Sequence, residues 1–246
     1  MAGHSKWKNI QHRKGKQDAI RGKLFTKLGR EIIMAAKSGG DPMLNAKLRV
    51  ILEKARLAGL PQENIKRAIQ RGTGEIEGAD YEEITYEGTG PGGSAVIIEC
   101  YSENRNRTVA DLRHAFVKNG GNLGENGSVA WQFKFVGEII VPVGKHDEDE
   151  ITMAALEAGA QDVSSDEENF IIETKVEDLH ACTVGLAAAG YTAADSYLTY
   201  VATNMATPSD DDMLKLAKLL DVLDELDDVK ETYSNVDIPE EIYEKL

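Results

Sequence analysis

Residues 134–143 read KFVGEIIVPV and begin the stretch of sequence that decides the fold. Isoleucine, valine and phenylalanine dominate this segment, which therefore predicts a strand. The segments after it predict a helix, two strands, a helix and a final strand, at residues 147–158, 161–164, 169–175, 177–190 and 195–201. This β-α-β-β-α-β order predicts a ferredoxin-like unit.

The segments on either side of this unit are each too small to fold alone. The predicted elements are strands at 81–87, 94–101 and 229–235, a helix at 210–226, and a helix with Val109, Leu112 and Phe116 on one face. A lone C-terminal helix and strand cannot enclose a core. The simplest arrangement therefore pairs residues 77–133 with 205–246 in one discontinuous middle domain, into which the ferredoxin-like domain, 134–204, is inserted.

Residues 1–76 predict a basic arm followed by a helical domain. Three short amphipathic helices follow the arm, and they can bury their apolar faces only against one another. These faces comprise Leu24, Leu28, Ile32 and Ala35 in a helix from Gln17, then Leu44, Leu48, Ile51 and Ala55, and then Ile65 and Ile69 in a helix that opens at Pro61. The fold class is therefore α+β, with an N-terminal helical bundle and two α/β domains, one ferredoxin-like and inserted in the other.

Local patterns predict where several elements begin. The expected capping residues are Asp41 with Pro42 for the second helix, Thr108 or Asn106 for the helix of residues 77–133, and Ser209 for the last helix. Apolar residues at alternate positions from Val129 to Phe135 predict a half-buried strand.

Charge is divided unequally along the chain. Residues 1–72 hold 17 Lys and Arg against 5 Asp and Glu, a net charge of +12, whereas the remaining residues carry −26. The net charge of −14 for the whole chain conceals this division. Such a split concerns partners rather than fold, because the basic head attracts polyanions and the acidic remainder repels them.

The candidate nucleic-acid contacts lie in the basic head and at two arginines of the middle domain. Cations neutralise phosphates and release counterions, and an aromatic ring can stack on a base. The candidates are Lys6, Trp7, Lys8, His12, Arg13, Lys14, Lys16, Arg21, Lys23, Lys27, Arg30, Arg105 and Arg107. The positive charge continues across the predicted helices to Arg71, which favours binding over a merely solvated tail.

Two alternatives stay open for individual candidates. Trp7 either stacks on a base or packs against the helical domain. Arg105 and Arg107 either bind a second phosphate or form ion pairs with neighbouring acids.

The sequence predicts no catalytic site, metal site or cofactor. The five histidines are scattered, and hydrolase and nucleotide-binding fingerprints are absent. Residues 88–93 are glycine-rich and could bind phosphate, but they lack the lysine and serine or threonine of a P-loop, which favours a hairpin turn. The acidic runs at 147–150 and 210–212 favour helix starts over cation sites.

The cysteines and the apolar runs indicate the cellular compartment of the protein. Cys100 and Cys182 lie among apolar residues and are expected to be buried thiols in a reducing compartment. No apolar run reaches the length of a membrane span, and the first residues lack a secretory signal. We therefore expect a cytoplasmic protein without a membrane partner.

Several motifs resemble those of the YebC family, and the resemblance spans nearly the whole chain. The motifs are residues 1–10 (MAGHSKWKNI), 12–14, 17–19, 21–23, 25–27, 86–88, 90–93, 104–108, 120–124, 127–129 and 154–160. Ile20 departs from the pattern, because the family commonly has a basic residue there. The resemblance implies a helical N-terminal domain followed by two α/β domains, one inserted in the other, in a cytoplasmic or mitochondrial protein that is not an enzyme.

The resemblance also implies a DNA-binding transcriptional regulator, or a factor that acts at the ribosome to help translation through difficult sequences such as proline runs. The sequence thus predicts a non-enzymatic, nucleic-acid-binding regulator of gene expression, with DNA and RNA both open and the ribosome or another RNP as a further candidate partner. No helix-turn-helix recognition face is evident in residues 1–72.

Two rival hypotheses belong to other classes. The basic head could dock on an acidic protein partner or on the acidic remainder of the chain itself. The protein could also be an enzyme with an acidic cleft, although nothing in the sequence selects a catalytic pair or a small-molecule substrate.

Overall fold

The computed structural model describes residues 21–246. The helices are α1 (Arg21–Ala36), α2 (Ala46–Leu57), α3 (Gln62–Gly72), α4 (Arg105–Lys118), α5 (Glu148–Glu157), α6 (Leu179–Ala188), α7 (Asp210–Asp224) and α8 (Glu240–Tyr243). The strands are β1 (Glu82–Thr89), β2 (Ala95–Ser102), β3 (Asn122–Leu123), β4 (Phe133–Pro142), β5 (Asp162–Ser165), β6 (Asn169–Thr174), β7 (Asp195–Ala202) and β8 (Val229–Ser234).

The first three helices enclose a core of their own. Its buried members include Leu28, Ile32, Leu48, Ile51, Ala55 and Ile65, and the partly buried Leu24 and Ile69 pack against them. The side chain of Asn45 joins two of the helices. Its Nδ2 donates to Ala35 O at 2.8 Å at the end of α1, and its Oδ1 accepts from Leu48 N at 3.0 Å at the start of α2. Buried side chains therefore hold these helices in one unit, as the periodicity predicts.

Two predictions about the start of α2 are wrong. Asn45 is the capping residue, whereas Asp41 caps an earlier turn by accepting from Met43 N at 2.9 Å. Leu44 consequently lies outside the helix, and it is 88% exposed rather than buried. The predicted helix start at Gln17 lies outside the described residues.

The middle of the molecule is a four-stranded antiparallel sheet in the order β3-β1-β2-β8. The chain leaves this sheet after β3 and returns to it with β8. On one face Val96, Ile98 and Cys100 pack against α4 and α7, and on the other face Ala95 and Ile97 contact a smaller cluster. All eight residues of β2 are buried, because both faces of the sheet are covered.

The capping prediction for α4 is also wrong. Asn104 caps this helix by accepting from Arg107 N, whereas Thr108 is buried and directs its hydroxyl elsewhere.

The predicted half-buried strand is wrong in its first half. Residues Ala130–Gln132 form a short 3-10 turn, and Trp131 is 67% exposed. The reason is the buried carboxylate of Glu87, which accepts from Val129 N and Ala130 N at 2.7 Å and so takes donors that a strand would use. The strand begins only at Phe133.

The second sheet has the antiparallel order β5-β6-β4-β7. With α5 and α6 it encloses a core that includes Ile139, Ile151, Phe170, Ile172 and Leu186. The predicted β-α-β-β-α-β order is confirmed. Aromatic contacts join the two sheets, since the Tyr200 ring lies 5.1 Å from that of Tyr233.

The α+β fold class, with a helical N-terminal region and two antiparallel sheets, is confirmed. The domain boundaries at residues 76, 133 and 204 stay a prediction. Among the described residues, no helix has the length and apolar character that a bilayer crossing requires.

Candidate nucleic-acid interface

Part of the predicted contact set lies outside the described residues. This holds for Lys6, Trp7, Lys8, His12, Arg13, Lys14 and Lys16, and for the side chain of Arg21. Their contacts with nucleic acid stay predictions, and so does the choice between stacking and packing for Trp7.

The predicted contacts on α1 face acidic residues of the chain itself. Lys23 Nζ lies 3.6 Å from a carboxylate oxygen of Glu225, and both side chains are well exposed. Arg30 Nη1 lies 2.7 Å from Asp228 Oδ1 and also donates to the carbonyl of Asp227. Lys27 is half-buried near Glu31. Lys23 and Arg30 thus attach the helical unit to the acidic segment between α7 and β8.

The carboxylate of Asp228 is the centre of this attachment. Only 8% of its side chain is exposed, and it accepts from Arg30, from Arg107 Nη2 at 3.1 Å and from Thr108 Oγ1 at 2.6 Å. The Arg30 guanidinium also lies 5.2 Å from the centre of the Tyr81 ring, a cation–π distance. Three segments distant in sequence therefore meet at one buried carboxylate.

Arg105 and Arg107 both form ion pairs within the chain. Arg105 Nε donates to Glu82 Oε2 at 2.8 Å, and Arg107 reaches Glu103 at 3.2 Å as well as Asp228. These hydrogen bonds raise the pKa of each guanidinium further, so both remain charged. Of the two alternatives for these arginines, the described contacts are ion pairs, and a phosphate contact stays a prediction.

Lys23, Arg30 and Arg107 line one cleft of about 490 Å³ between α1, α4 and the segment before β8. Four acidic residues, Asp111, Glu225, Asp227 and Asp228, line the same cleft. Because the acids outnumber the cations, the cleft does not present the positive potential that a polyanion requires. The arrangement holds two parts of the chain together rather than exposing a phosphate site.

The cations of α2 and α3 have a different environment. Seven are exposed, and none forms an ion pair among the residues that the structure describes. They are Lys47, Arg49, Lys54 and Arg56 on α2, and Lys66, Arg67 and Arg71 on α3. The acidic residues of these two helices are Glu53 and Glu63 alone. This surface, hereafter the α2–α3 cationic surface, is open to an anionic partner.

Apolar side chains are exposed beside this surface. Met43 is 79% exposed and Leu57 is 90% exposed, and Leu44 and Val50 accompany them. Several exposed large apolar side chains within residues 43–57 favour an interaction site on this part of the chain.

Glu31 lies where α1 approaches cations of α2 and β8. Burial raises the pKa of its carboxyl above the ordinary value of 4.5, although Lys54, Lys230 and Lys27 act in the opposite direction and Glu231 adds to the rise. The carboxyl of the half-buried Glu31, the single acid of α1, is therefore harder to ionise in the folded chain than an exposed glutamate.

The glycine-rich segment at 88–93 forms a hairpin turn between β1 and β2. Gly90 and Pro91 are buried, and Gly90 N donates to Ser94 O at 2.8 Å. The N–H group of Gly90 is therefore hydrogen-bonded within the turn. The antiparallel pairing of β1 with β2 confirms the hairpin prediction.

The remaining chemical candidates have structural roles. Cys100 and Cys182 are buried and free, as predicted, and burial raises the pKa of Cys100 to about 12. The acidic runs begin helices, since Ser209 caps α7 and Asp147 caps α5 through backbone N–H groups. Within residues 21–246, no three His, Cys, Asp or Glu side chains are arranged so that they could hold one metal ion.

Sequence reasoning missed two features of the site. It named cations of the arm, of α1 and of the middle domain as contacts, and it did not separate from them the exposed cations of α2 and α3. It also missed Asp228, because a buried acid cannot be distinguished from 41 other acidic residues without the fold.

Comparison with known proteins identifies relatives along the full chain. Residues 5–75 match the TACO1/YebC protein N-terminal domain, and residues 81–236 match the TACO1/YebC second and third domain.

Individual relatives carry regulatory names. A "Probable transcriptional regulatory protein" of Persephonella marina is 48% identical over 100% of both chains. A protein of the same description from Bordetella pertussis is 52% identical over 96% of this chain and 98% of its own. The crystal structure of a conserved hypothetical protein from Aquifex aeolicus superposes with a TM-score of 0.77 at 43% identity, over 91% of this chain and 93% of the other. Because the two family matches together cover residues 5–75 and 81–236, the chain belongs to the TACO1/YebC family.

Proposed function

We propose that this protein is a non-enzymatic regulator of gene expression that binds DNA through its basic N-terminal domain. The α2–α3 cationic surface is the observation that carries the proposal, because its seven cations are exposed and form no ion pair with a described residue; Lys54 lies near an acid, Glu31. Cations of this kind neutralise phosphates and release counterions when nucleic acid binds.

The acidic remainder of the chain supports one orientation of binding. Residues 73–246 carry a net charge of −26, so this part of the chain as a whole repels a phosphate backbone, whereas the head attracts it. The contacts of Lys23 and Arg30 with Glu225 and Asp228 hold the head against this acidic body. The cations of α1 therefore orient the head, and those of α2 and α3 face the ligand.

The relatives are consistent with this role. Those from Persephonella marina and Bordetella pertussis are both named as transcriptional regulatory proteins. A regulator of transcription requires contact with nucleic acid or with a protein bound to it.

A second candidate function is association with the ribosome or another RNP. The exposed apolar side chains of Met43, Leu44 and Leu57 beside the cations favour it. A bare phosphate backbone offers little apolar surface, whereas an RNP offers phosphates and apolar protein surface together.

Crosslinking in cells, followed by sequencing of the attached nucleic acid, tests both candidates. The wild-type chain is compared with a variant in which Lys66, Arg67 and Arg71 are changed to glutamate. We expect the wild type to crosslink to promoter DNA and the variant to lose this signal. Enrichment of ribosomal RNA instead would support the second candidate. Equal, background crosslinking by both chains would contradict nucleic-acid binding altogether.

A further inference from the structure

The connection between α2 and α3 is a tight turn of four residues, 58–61. Gly59 has a φ of +79°, a left-handed conformation that glycine adopts without strain. Its N–H donates to Arg56 O at 3.0 Å, and the N–H of Leu60 donates to Ala55 O at 2.9 Å. These two bonds end α2 in a Schellman motif. Pro61 then starts α3 with its fixed φ.

The residues around this turn pack inward. Ala55, Leu60, Ile65 and Ala68 are all buried in the core that α1 completes. At the far end of α3, Gly72 lies so close to α1 that an added Cβ would be 2.4 Å from Ile33 O. Two helices joined by a short glycine turn and supported by a preceding helix are the parts from which helix-turn-helix units are built. Apolar periodicity does not reveal these parts, because the spacing of apolar residues shows neither the conformation of the turn nor the packing of α3 against α1.

The outward face of α3 has the chemistry of a base-reading helix. Gln62, Asn64, Lys66 and Arg67 are exposed within its first two turns, and so is one acid, Glu63. Amide side chains pair with adenine and guanidinium or ammonium groups pair with guanine at the major-groove edge. In helix-turn-helix proteins the N-terminal residues of the second helix make these contacts.

The neighbouring helix supplies cations at the position expected for phosphate contacts. Lys54 and Arg56 lie in the last turn of α2, just before the glycine turn, and both are exposed. In helix-turn-helix proteins the first helix crosses the DNA backbone.

We propose that α2 and α3 form a helix-turn-helix unit whose α3 enters the major groove of duplex DNA. Gln62, Asn64 and Arg67 read base edges, while Lys54 and Arg56 contact phosphates. The B-DNA major groove is about 12 Å wide and admits a helix about 10–12 Å across, whereas the deep, narrow major groove of A-form RNA does not. This inference rests on the proposed function, because it requires that the head binds nucleic acid.

Selection from a duplex DNA pool with a randomised central segment tests the proposal on the full-length chain. The wild type is compared with a Gln62→Ala/Asn64→Ala variant. The matched control is Gln161→Ala/Lys175→Ala, which removes an exposed amide and an exposed cation from the ferredoxin-like unit. All these side chains are exposed, so unchanged circular dichroism and thermal unfolding are expected and are measured first.

We expect the wild type and the control to enrich the same sequence and the Gln62→Ala/Asn64→Ala variant to lose that preference. Its affinity for the selected sequence should fall about tenfold or more, while its affinity for unselected DNA changes little. Arg67→Ala should weaken binding to the selected site more than to unselected DNA.

Three results would overturn the helix-turn-helix assignment while leaving nucleic-acid binding intact. The first is retention of the same sequence preference by the α3 variant. The second is DNA binding without enrichment of any sequence. The third is tighter binding to an RNA hairpin of equal length than to duplex DNA. Absence of binding to both DNA and RNA probes is a different outcome, because it overturns the proposed function itself.

Discussion

Arg30 Nη1 lies 2.7 Å from Asp228 Oδ1, and this contact joins α1 to the segment that precedes β8. Only 11% of the Arg30 side chain and 8% of the Asp228 side chain are exposed. Thr108 and Arg107 donate to the same carboxylate. The pair therefore fixes the position of the helical unit against the acidic part of the chain.

We expect Asp228→Ala to lower the free energy of unfolding by roughly 3–5 kcal/mol, because it leaves the buried Arg30 guanidinium without its anion. Urea denaturation measures the loss. The matched control is Glu225→Ala, which removes an exposed acid from the Lys23 pair and should change stability by less than about 1 kcal/mol. Equal effects of the two substitutions would contradict the assignment of Asp228 as the centre of the attachment.

The close approach of α3 to α1 at Gly72 gives a second prediction. An alanine Cβ there would lie 2.4 Å from Ile33 O and 2.6 Å from the Ala36 Cβ, so Gly72→Ala should push the helices apart and lower the melting temperature. Gly59→Ala is the comparison, because a Cβ there meets no atom within 4 Å and only the positive φ opposes it, by roughly 1–2 kcal/mol. Thermal unfolding should rank Gly72→Ala as the more destabilising of the two, and the reverse order would contradict the packing described.

Glu31 gives a prediction for pH dependence. Because burial raises the pKa of its carboxyl in the folded chain, the folded state favours the protonated form, and stability falls as pH rises above the ordinary value of 4.5. Glu31→Gln should therefore stabilise the protein at neutral pH. The gain should shrink as the pH is lowered through that value, where wild-type Glu31 becomes protonated. Denaturation of both chains across the pH range checks this, and a gain that grows on acidification would refute it.

The Glu87 carboxylate gives a prediction about the loop before β4. It accepts from Gly127 N at 2.6 Å and from Val129 N and Ala130 N at 2.7 Å. Glu87→Gln replaces one acceptor oxygen by a donor that faces these N–H groups, and we expect a loss of about 1.5–3 kcal/mol. Amide hydrogen exchange at the three N–H groups should accelerate. Glu125→Gln, an exposed acid in the same loop, should leave their exchange unchanged.

Periodic apolar residues predicted the elements well because burial depends on local spacing. Leu48, Ile51 and Ala55 face the core of the helical unit, and Ile139 and Ile172 face that of the second sheet, as their spacing indicates. Leu44 fits the same spacing but fails, because Asn45 caps α2 and the chain before it is not helical. Spacing cannot show where a helix starts when several polar residues compete as caps.

The partners of individual charges could not be predicted. Arg30 and Asp228 are 198 residues apart, and their contact depends on the return of the chain to the first sheet with β8. Net charge correctly marked the head as basic, but it did not separate the cations of α1, which face carboxylates, from those of α2 and α3, which face solvent. That distinction needs the tertiary structure.

The salt dependence of DNA binding tests the central claim most directly. The log of the association constant is measured against the log of salt concentration for the full-length chain and two triple alanine variants. One removes Arg56, Lys66 and Arg71 from the α2–α3 cationic surface. The other removes Lys23, Lys37 and Arg105. This variant loses the same total charge, but its three cations are paired in the wild type with Glu225, Asp80 and Glu82.

Each phosphate contact contributes about −0.9 to the slope of this plot. We predict that loss of Arg56, Lys66 and Arg71 makes the slope less negative by about 2–3, whereas loss of the paired cations changes it by less than about 1. An unchanged slope for the first variant, together with a large change for the second, would contradict the claim that α2 and α3 carry the free cations that bind phosphate.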